Sequence, residues 1–262
     1  LLPGSSPADR GATVSEFRGA IVVGATSGIG RAIARRLGKE GYSLILAGRD
    51  LDALGEIATD LQVRFGIKAD TRSFEALDFE SHTEFFGECV EHFSGRLEGI
   101  VLCHGQMPEQ DVSENDFAVA RRMIEVNYLS SVSLLNLAAN YLESREHGFV
   151  AAITSVAGDR GRASNYLYGS TKSALSAVLS GMRVRLAKRG VSVVDIRPGF
   201  VDTQLTWGRP GMFLVASPES VAQDVYRGIV KNRAVVYTPF FWAGIMLIIR
   251  TIPDFIFRRL SL

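Results

Sequence analysis

The sequence predicts a single α/β domain built on a doubly wound, mostly parallel sheet of seven strands. Three observations carry that prediction. Short apolar, β-branched-rich runs recur along the chain, amphipathic stretches of helical period separate them, and the first run ends in a glycine-rich turn. Near-continuous apolar strands alternating with helices mark a parallel sheet covered on both faces. Crossover helices between such strands wind the sheet in both directions.

Taken in order, the first strand is expected at Ala20–Val23 and the first helix over Gly30–Glu40. Ser43–Ala47 and Leu51–Phe65 form the second pair, and Ala69–Phe74 and Ser81–Phe93 the third. Gly99–Cys103 precedes a long helical stretch, Asp116–Glu143. Phe149–Thr154 leads to the helical stretch Tyr168–Arg189, Val191–Ile196 to Pro218–Asn232, and Ala234–Tyr237 is the seventh strand. No repeat of solenoid length is present.

The bulk numbers narrow the function. A chain of 262 residues, 47% hydrophobic and 22% charged, suits one large globular domain. A net charge of +1 without a basic block argues against a nucleic-acid partner. Cys89 and Cys103 read as two buried thiols in a reducing compartment. His82, His92, His104 and His147 are scattered without metal-ligand spacing, so no metal site is expected. Residues 1–16, rich in Gly, Ser and Pro, read as a disordered arm, a fragment end or a remnant foreign to the domain. Residues 17–238 read as the catalytic domain and 239–262 as an apolar tail. No run of about 20 apolar residues offers a membrane span. The expectation is a cytoplasmic protein, with peripheral membrane contact left open.

In a sheet of this kind ligands bind beyond the carboxyl ends of the strands, where the winding reverses. The segment after the first strand is Gly24-Ala25-Thr26-Ser27-Gly28-Ile29-Gly30. Glycines here allow a tight turn and let backbone N–H groups and a helix N-terminus approach a pyrophosphate. A merely structural turn is the alternative. The second strand ends in Gly48-Arg49-Asp50, where an acid would hold a ribose 2′-hydroxyl or an arginine a 2′-phosphate. Arg49 favours NADP(H); Asp50, one residue later, keeps NAD(H) open.

Ser155 closes the fifth strand, and Tyr168-Gly169-Ser170-Thr171-Lys172 follows. Tyr168 and Lys172, at i and i+4, share one helix face. A phenol of reference pKa about 10 is a poor proton exchanger at neutral pH, and bringing it to about 7 takes about 4 kcal/mol. A nearby ammonium and an oxidised nicotinamide favour the phenolate. Ser155 can donate to the substrate oxygen. Tyr166 lacks this partner, since its i+4 neighbour is Ser170. The pair alone is a weak signal. Its force comes from the order of glycine turn, strand-end serine and Tyr-x-x-x-Lys.

This arrangement resembles the short-chain dehydrogenase/reductase family over roughly residues 17–231. The resemblance rests on Gly24-x-x-x-Gly28-x-Gly30, Ser155, Tyr168-x-x-x-Lys172 and Pro198-Gly199. It implies a Rossmann-like fold and an NAD(P)(H)-dependent oxidoreductase acting on a carbonyl or alcohol, commonly as a homo-oligomer. It further implies that Asn127, in Glu125-Val126-Asn127-Tyr128, holds a water linking Lys172 to solvent. Asp78 corresponds to the position that touches adenine, with helix N-capping as its alternative or additional role. The Val201 backbone and Thr203 hydroxyl correspond to positions that bind the nicotinamide carboxamide. After the fourth strand the family has Asn-Asn-Ala-Gly, whereas this chain has Leu102-Cys103-His104-Gly105. Gly105 keeps the turn; the lost amides put the usual bracing of the turn and the cofactor ribose in doubt. His104 reads as structural rather than catalytic.

The loop Gln204–Ser217 includes Leu205, Trp207, Met212, Phe213, Leu214 and Val215, which suggests a lipophilic substrate or a loop packed on its own core. The uncharged run Phe240–Ile249 is too short to cross a bilayer core of about 30 Å. It suits a membrane interface with Trp242 and the arginines at headgroup level, or equally an oligomer contact or a flap over the pocket. A nucleotide-sensing protein on the same scaffold is the rival function.

Overall fold

The computed structural model describes residues 18–204 and 213–260. Seven strands form one sheet: β1 (Gly19–Val23), β2 (Ser43–Gly48), β3 (Ala69–Ser73), β4 (Leu97–Leu102), β5 (Gly148–Ile153), β6 (Val191–Pro198) and β7 (Val235–Thr238). Their order is β3-β2-β1-β4-β5-β6-β7, and every pair is parallel. The sheet is thus wholly parallel, beyond the mostly parallel expectation.

Alternation along β1 explains the two layers. Ala20 and Val22 point into one apolar cluster, Ile21 and Val23 into the other. The first cluster is roofed by α1 (Gly28–Lys39), α2 (Leu51–Phe65) and, further along the chain, Pro218–Val230. The second is roofed by α3 (His82–His92) and by the helices Ser130–Arg145 and Tyr166–Leu186. A strand buried on both faces holds few polar residues, which is why the runs read as largely apolar; the buried Asp195 of β6 is an exception, paired with Arg197 and Thr154.

The stretch Asp116–Glu143 resolves into more parts than its periodicity suggested. A short α4 (Gln110–Asn115), absent from the sequence expectation, precedes α5 (Phe117–Ile124). One turn at Glu125–Leu129 then widens to π geometry, with Ser130 N–H bonded to Glu125 O, before α6 (Ser130–Arg145). The remaining helices are α7 (Tyr166–Leu186), α8 (Pro218–Val230), α9 (Trp242–Thr251) and α10 (Asp254–Phe257). No described helix is long and apolar enough to cross a membrane. The expected arm at 1–16 lies outside the described residues, as do Leu205, Trp207 and Met212.

Candidate active site

The winding reverses between β1 and β4, which are neighbours although β2 and β3 intervene in the chain. A cleft of ≈ 380 Å³ opens there, beyond the carboxyl ends of the strands. Gly24, at φ 78°, turns the chain out of β1; a β-carbon there would lie 2.6 Å from His104 N. Ser27 caps α1, its Oγ accepting from Gly30 N at 3.0 Å and donating to Gly24 O at 2.8 Å. A β-carbon on Gly30 would overlap Gly24 O. Gly28 differs: the nearest atom to its would-be β-carbon is Thr203 Cγ2, at 3.1 Å, and no backbone covers it. Thr26, Ser27, Gly28 and Ile29 therefore line the cleft. The first turn of α1 carries no acid, so its positive end is free to meet an anion.

Gly48 and Arg49 line the cleft at the end of β2. Asp50 is committed elsewhere: it caps α2, Oδ1 accepting from Ala53 N at 3.0 Å. Asp78, which the family resemblance assigns to the adenine, is not among the residues lining the cleft. β3 ends at Ser73, the chain bends into the cleft at once, and Phe74, Glu75 and Ala76 form the wall. Asp78 lies beyond, in a turn where its N–H bonds Glu75 O at 3.1 Å and its carbonyl accepts from Ser81. Nor does Asp78 cap α3, whose N-cap is Ser81.

Tyr168 and Lys172 sit on successive turns at the start of α7 and both reach the cleft. Lys172 is 4% exposed. Its Nζ donates to Ile153 O at 3.0 Å and lies 5.7 Å from the Tyr168 ring centre. Burial pushes its pKa down to about 8, against the pull of Cys103 and Asp195. Asn127 lies in the π turn, fully buried. Its Oδ1 accepts from Gln106 N at 2.8 Å; its Nδ2 donates to Gln106 O at 2.8 Å and to Thr171 Oγ1 at 3.2 Å. The amide thus ties the turn after β4 to the helix that carries Tyr168 and Lys172. A β-carbon at Gly105, in that same turn, would lie 3.2 Å from Asn127 Oδ1 and 3.4 Å from Lys172 Nζ.

Ser155 lies just past β5, beside the cleft rather than on its lining, and its Oγ accepts from Ala157 N at 3.0 Å. Two glycines press its turn onto α7. A β-carbon on Gly169 would lie 2.6 Å from Ala157 O, and one on Gly158 2.8 Å from Ser173 N. Beneath the turn runs a partly buried ionic cluster. Arg197 bridges Asp159 and Asp195, each at 2.7 Å, while Tyr237 donates to Asp159 and Thr154 to Asp195.

His104 is held as a neutral ring. Ser130 Oγ donates to Val126 O and Ser131 Oγ to Asn127 O, so both hydroxyl protons are spent. His104 Nε2, 2.8 Å from Ser130 Oγ, must therefore carry the proton and donate. Nδ1 is a buried acceptor without a protein partner. Burial, then the positive charge of Lys172, pushes the pKa to about 3.

Pro198 ends β6, and a β-carbon on Gly199 would overlap the Trp242 indole. Val201 pairs with Ala216, and Thr203 enters the cleft over Gly28. Trp242 and Met246 are 2% and 0% exposed, packed with Val156 and against Phe200 and Tyr237. This corrects the placement of Trp242 at a headgroup surface: α9 turns it into its own domain. Arg160, from the loop before α7, clamps the tail. It donates to Ile249 O at 2.7 Å, Ile252 O at 2.5 Å and Asp254 Oδ1 at 2.7 Å, and lies 3.7 Å from the Phe257 ring centre.

Residues 18–210 match the family model described as short chain dehydrogenase. The chain belongs to the short-chain dehydrogenase/reductase family. An uncharacterised oxidoreductase of Mycobacterium tuberculosis is 34% identical over 241 residues, covering 92% of this chain and 96% of that protein. Another from Streptomyces coelicolor is 33% identical over 246 residues, covering 93% and 96%. Among solved structures, an alcohol dehydrogenase from the archaeon Thermococcus sibiricus, complexed with 5-hydroxy-NADP, superposes with a TM-score of 0.75 at 28% identity, covering 85% of this chain and 96% of that one. A short-chain dehydrogenase from Sphingobium yanoikuyae shares the fold, with a TM-score of 0.77 at 20% identity over 91% and 97%.

As a short-chain dehydrogenase/reductase, the chain departs from the family pattern at Cys103-His104. Here the Asn127 amide holds the turn through Gln106, and His104 leans on two serines. Sequence reasoning missed Glu75 and Arg122 on the cleft wall and Gly158 and Gly169 behind it. Glu75 was detectable as a polar residue directly after a strand. The two glycines carried no signal, because their need arises from a contact between separate segments.

Proposed function

We propose that this protein interconverts a carbonyl and a secondary alcohol with NADP(H), on a lipophilic substrate. The observation that carries the reading is the position of Tyr168 and Lys172, one turn apart at one end of a cleft whose other walls are the glycine loop and Arg49. The residues fit a dinucleotide. Gly28 keeps a β-carbon out of the space beneath Thr203, and the first turn of α1 carries no acid to oppose a phosphate. Arg49 on the cleft wall, with Asp50 spent on capping α2, favours a 2′-phosphate over a bare 2′-hydroxyl. The similar archaeal alcohol dehydrogenase, solved with an NADP derivative, supports the same choice.

The nicotinamide would supply or accept the hydride. Tyr168 gives its hydroxyl proton to the substrate oxygen during reduction, and Lys172 favours the phenolate left behind. Ser155 turns its hydroxyl to the same oxygen, and Asn127 fixes the turn beside Lys172. Phe213, packed on Phe200 and Trp242, gives the substrate side an apolar rim, which supports a lipophilic substrate. Exposed Val112, Phe117 and Leu129 around α5 support self-association.

A nucleotide sensor would have no need to bury an ammonium beside a phenol, which is costly. The test is a panel of aliphatic and aromatic carbonyls followed at the nicotinamide absorbance, with NADPH and NADH in parallel. Tyr168→Phe should keep cofactor binding and lose roughly 10²–10⁴-fold in turnover. Unchanged turnover in that variant removes the proposal.

A further inference from the structure

The tail presents a surface that the catalytic reading does not use. α9 buries Trp242 and Met246 one turn apart, and Ile245 and Ile249 flank them. Its opposite face carries Ala243, Gly244, Leu247, Ile248 and Thr251, without a single acid. Leu247 is 64% and Ile248 66% exposed. A helix lying on a soluble domain turns charged or polar residues outward; this one turns out leucine and isoleucine. The apolar surface continues through exposed Phe255, Ile256 and Leu260. Exposed Phe213 lies at the start of α9, its ring 5.5 Å from that of Trp242.

Charge says what covers it. Arg250, Arg258 and Arg259 are exposed among these side chains. The only acid between residues 239 and 260 is Asp254, and it is held by Arg160. A two-fold pairing of tails would set three arginines against three arginines, with only Asp254, already paired with Arg160, to relieve them. An anionic lipid surface answers both features, taking the apolar side chains below its headgroups and the guanidiniums at them.

We infer that the outer face of residues 240–260 docks the enzyme on an anionic membrane surface, with α9 lying in the interface rather than across it. Docking there sets the apolar rim at Phe213 beside the lipid, so that a lipophilic substrate reaches the cleft without crossing water. The clamp of Arg160 holds the docking face on the loop that precedes α7 and Tyr168.

The test is co-sedimentation of the full chain with vesicles of phosphatidylcholine alone and of phosphatidylcholine mixed with phosphatidylglycerol, at low and high salt. Binding to the mixed vesicles, reversed by salt, is expected. Replacing Arg250, Arg258 and Arg259 by Gln should weaken it on the order of 100-fold, about fivefold per arginine. Leu247→Ser with Ile248→Ser should abolish it while circular dichroism and thermal unfolding stay those of the parent. Vesicle binding that survives the serine variant, or that is equal on the neutral vesicles, overturns the inference. So does a parent that binds neither vesicle but is a dimer by light scattering, with a monomeric serine variant; a second copy then covers the face. None of these readouts uses turnover, so a chain that docks but reduces no carbonyl sinks only the catalytic proposal.

Discussion

The α-carbon of Gly199 rests against the Trp242 indole, leaving no space for a β-carbon between them. This contact joins the turn leaving β6, which leads to Thr203 in the cleft, to the first residue of α9. Gly199→Ala must push the indole or the turn aside. It should cost about 1–3 kcal/mol as overpacking, read as a lower midpoint in urea at unchanged slope. Adding Trp242→Leu should recover part of the loss. A single variant as stable as the parent would show that the tail yields freely.

Lys172 gives a pH dependence of defined sign. Burial lowers its pKa from 10.5 to about 8, so the ammonium beside Tyr168 is lost as pH rises past about 8. We expect kcat/KM for carbonyl reduction to fall above that value with a one-proton slope. Lys172→Met should be slower throughout and lack this limb. From pH 8 to 10.5 the unfolded chain still holds a proton that the folded chain has released, so this site makes folding more favourable as pH rises through that window. An alkaline limb at the same place in Lys172→Met assigns it to another group.

His104 works in the acid range. Its folded pKa is about 3 and its ordinary value 6.5, so between those values only the unfolded chain takes up the proton. The stability tied to its neutral ring is complete above pH 6.5 and drains away as pH falls toward 3. His104→Gln keeps a donor for Ser130 and removes the titration. Acid unfolding of that variant, followed by circular dichroism and normalised to its stability at pH 7, should depend less steeply on pH between 6.5 and 3. An unchanged slope would mean that the ring opens to water before the chain unfolds.

Arg49→Ala tests the choice of cofactor. A charge-assisted contact to a phosphate is worth about 1.5–3 kcal/mol, so KM for NADPH should rise by about tenfold or more while KM for NADH stays put. Equal rises for both cofactors would place the guanidinium on the shared part of the dinucleotide.

Much of the fold is legible because the inner strands are buried on both faces. Ala20–Val23 and Leu44–Ala47 are apolar throughout and wholly buried, as inner strands of a covered sheet must be. Tyr168 and Lys172 are legible because their relation lies within one helix. What escapes the sequence depends on distant segments. The π turn at Asn127 shows no break in the apolar period of Asp116–Glu143, since one wide turn shifts the phase by a single residue. Asp78 stands out by its place in a motif, whereas Glu75 reaches the cleft wall only because β3 ends at Ser73. The tail left lipid-facing and protein-facing readings open because α9 is apolar on both sides, one packing Trp242 and Met246 on the domain and the other exposing Leu247 and Ile248.

The clamp of Arg160 also sets an order of events during synthesis. Its partners, Ile249, Ile252 and Asp254, leave the ribosome about 90 residues after it. Trp242 and Met246, which pack over Val156 and beside Phe200, also follow them by some distance in the chain. The covering of this patch beside the Tyr168 helix therefore waits on a segment translated well after that helix.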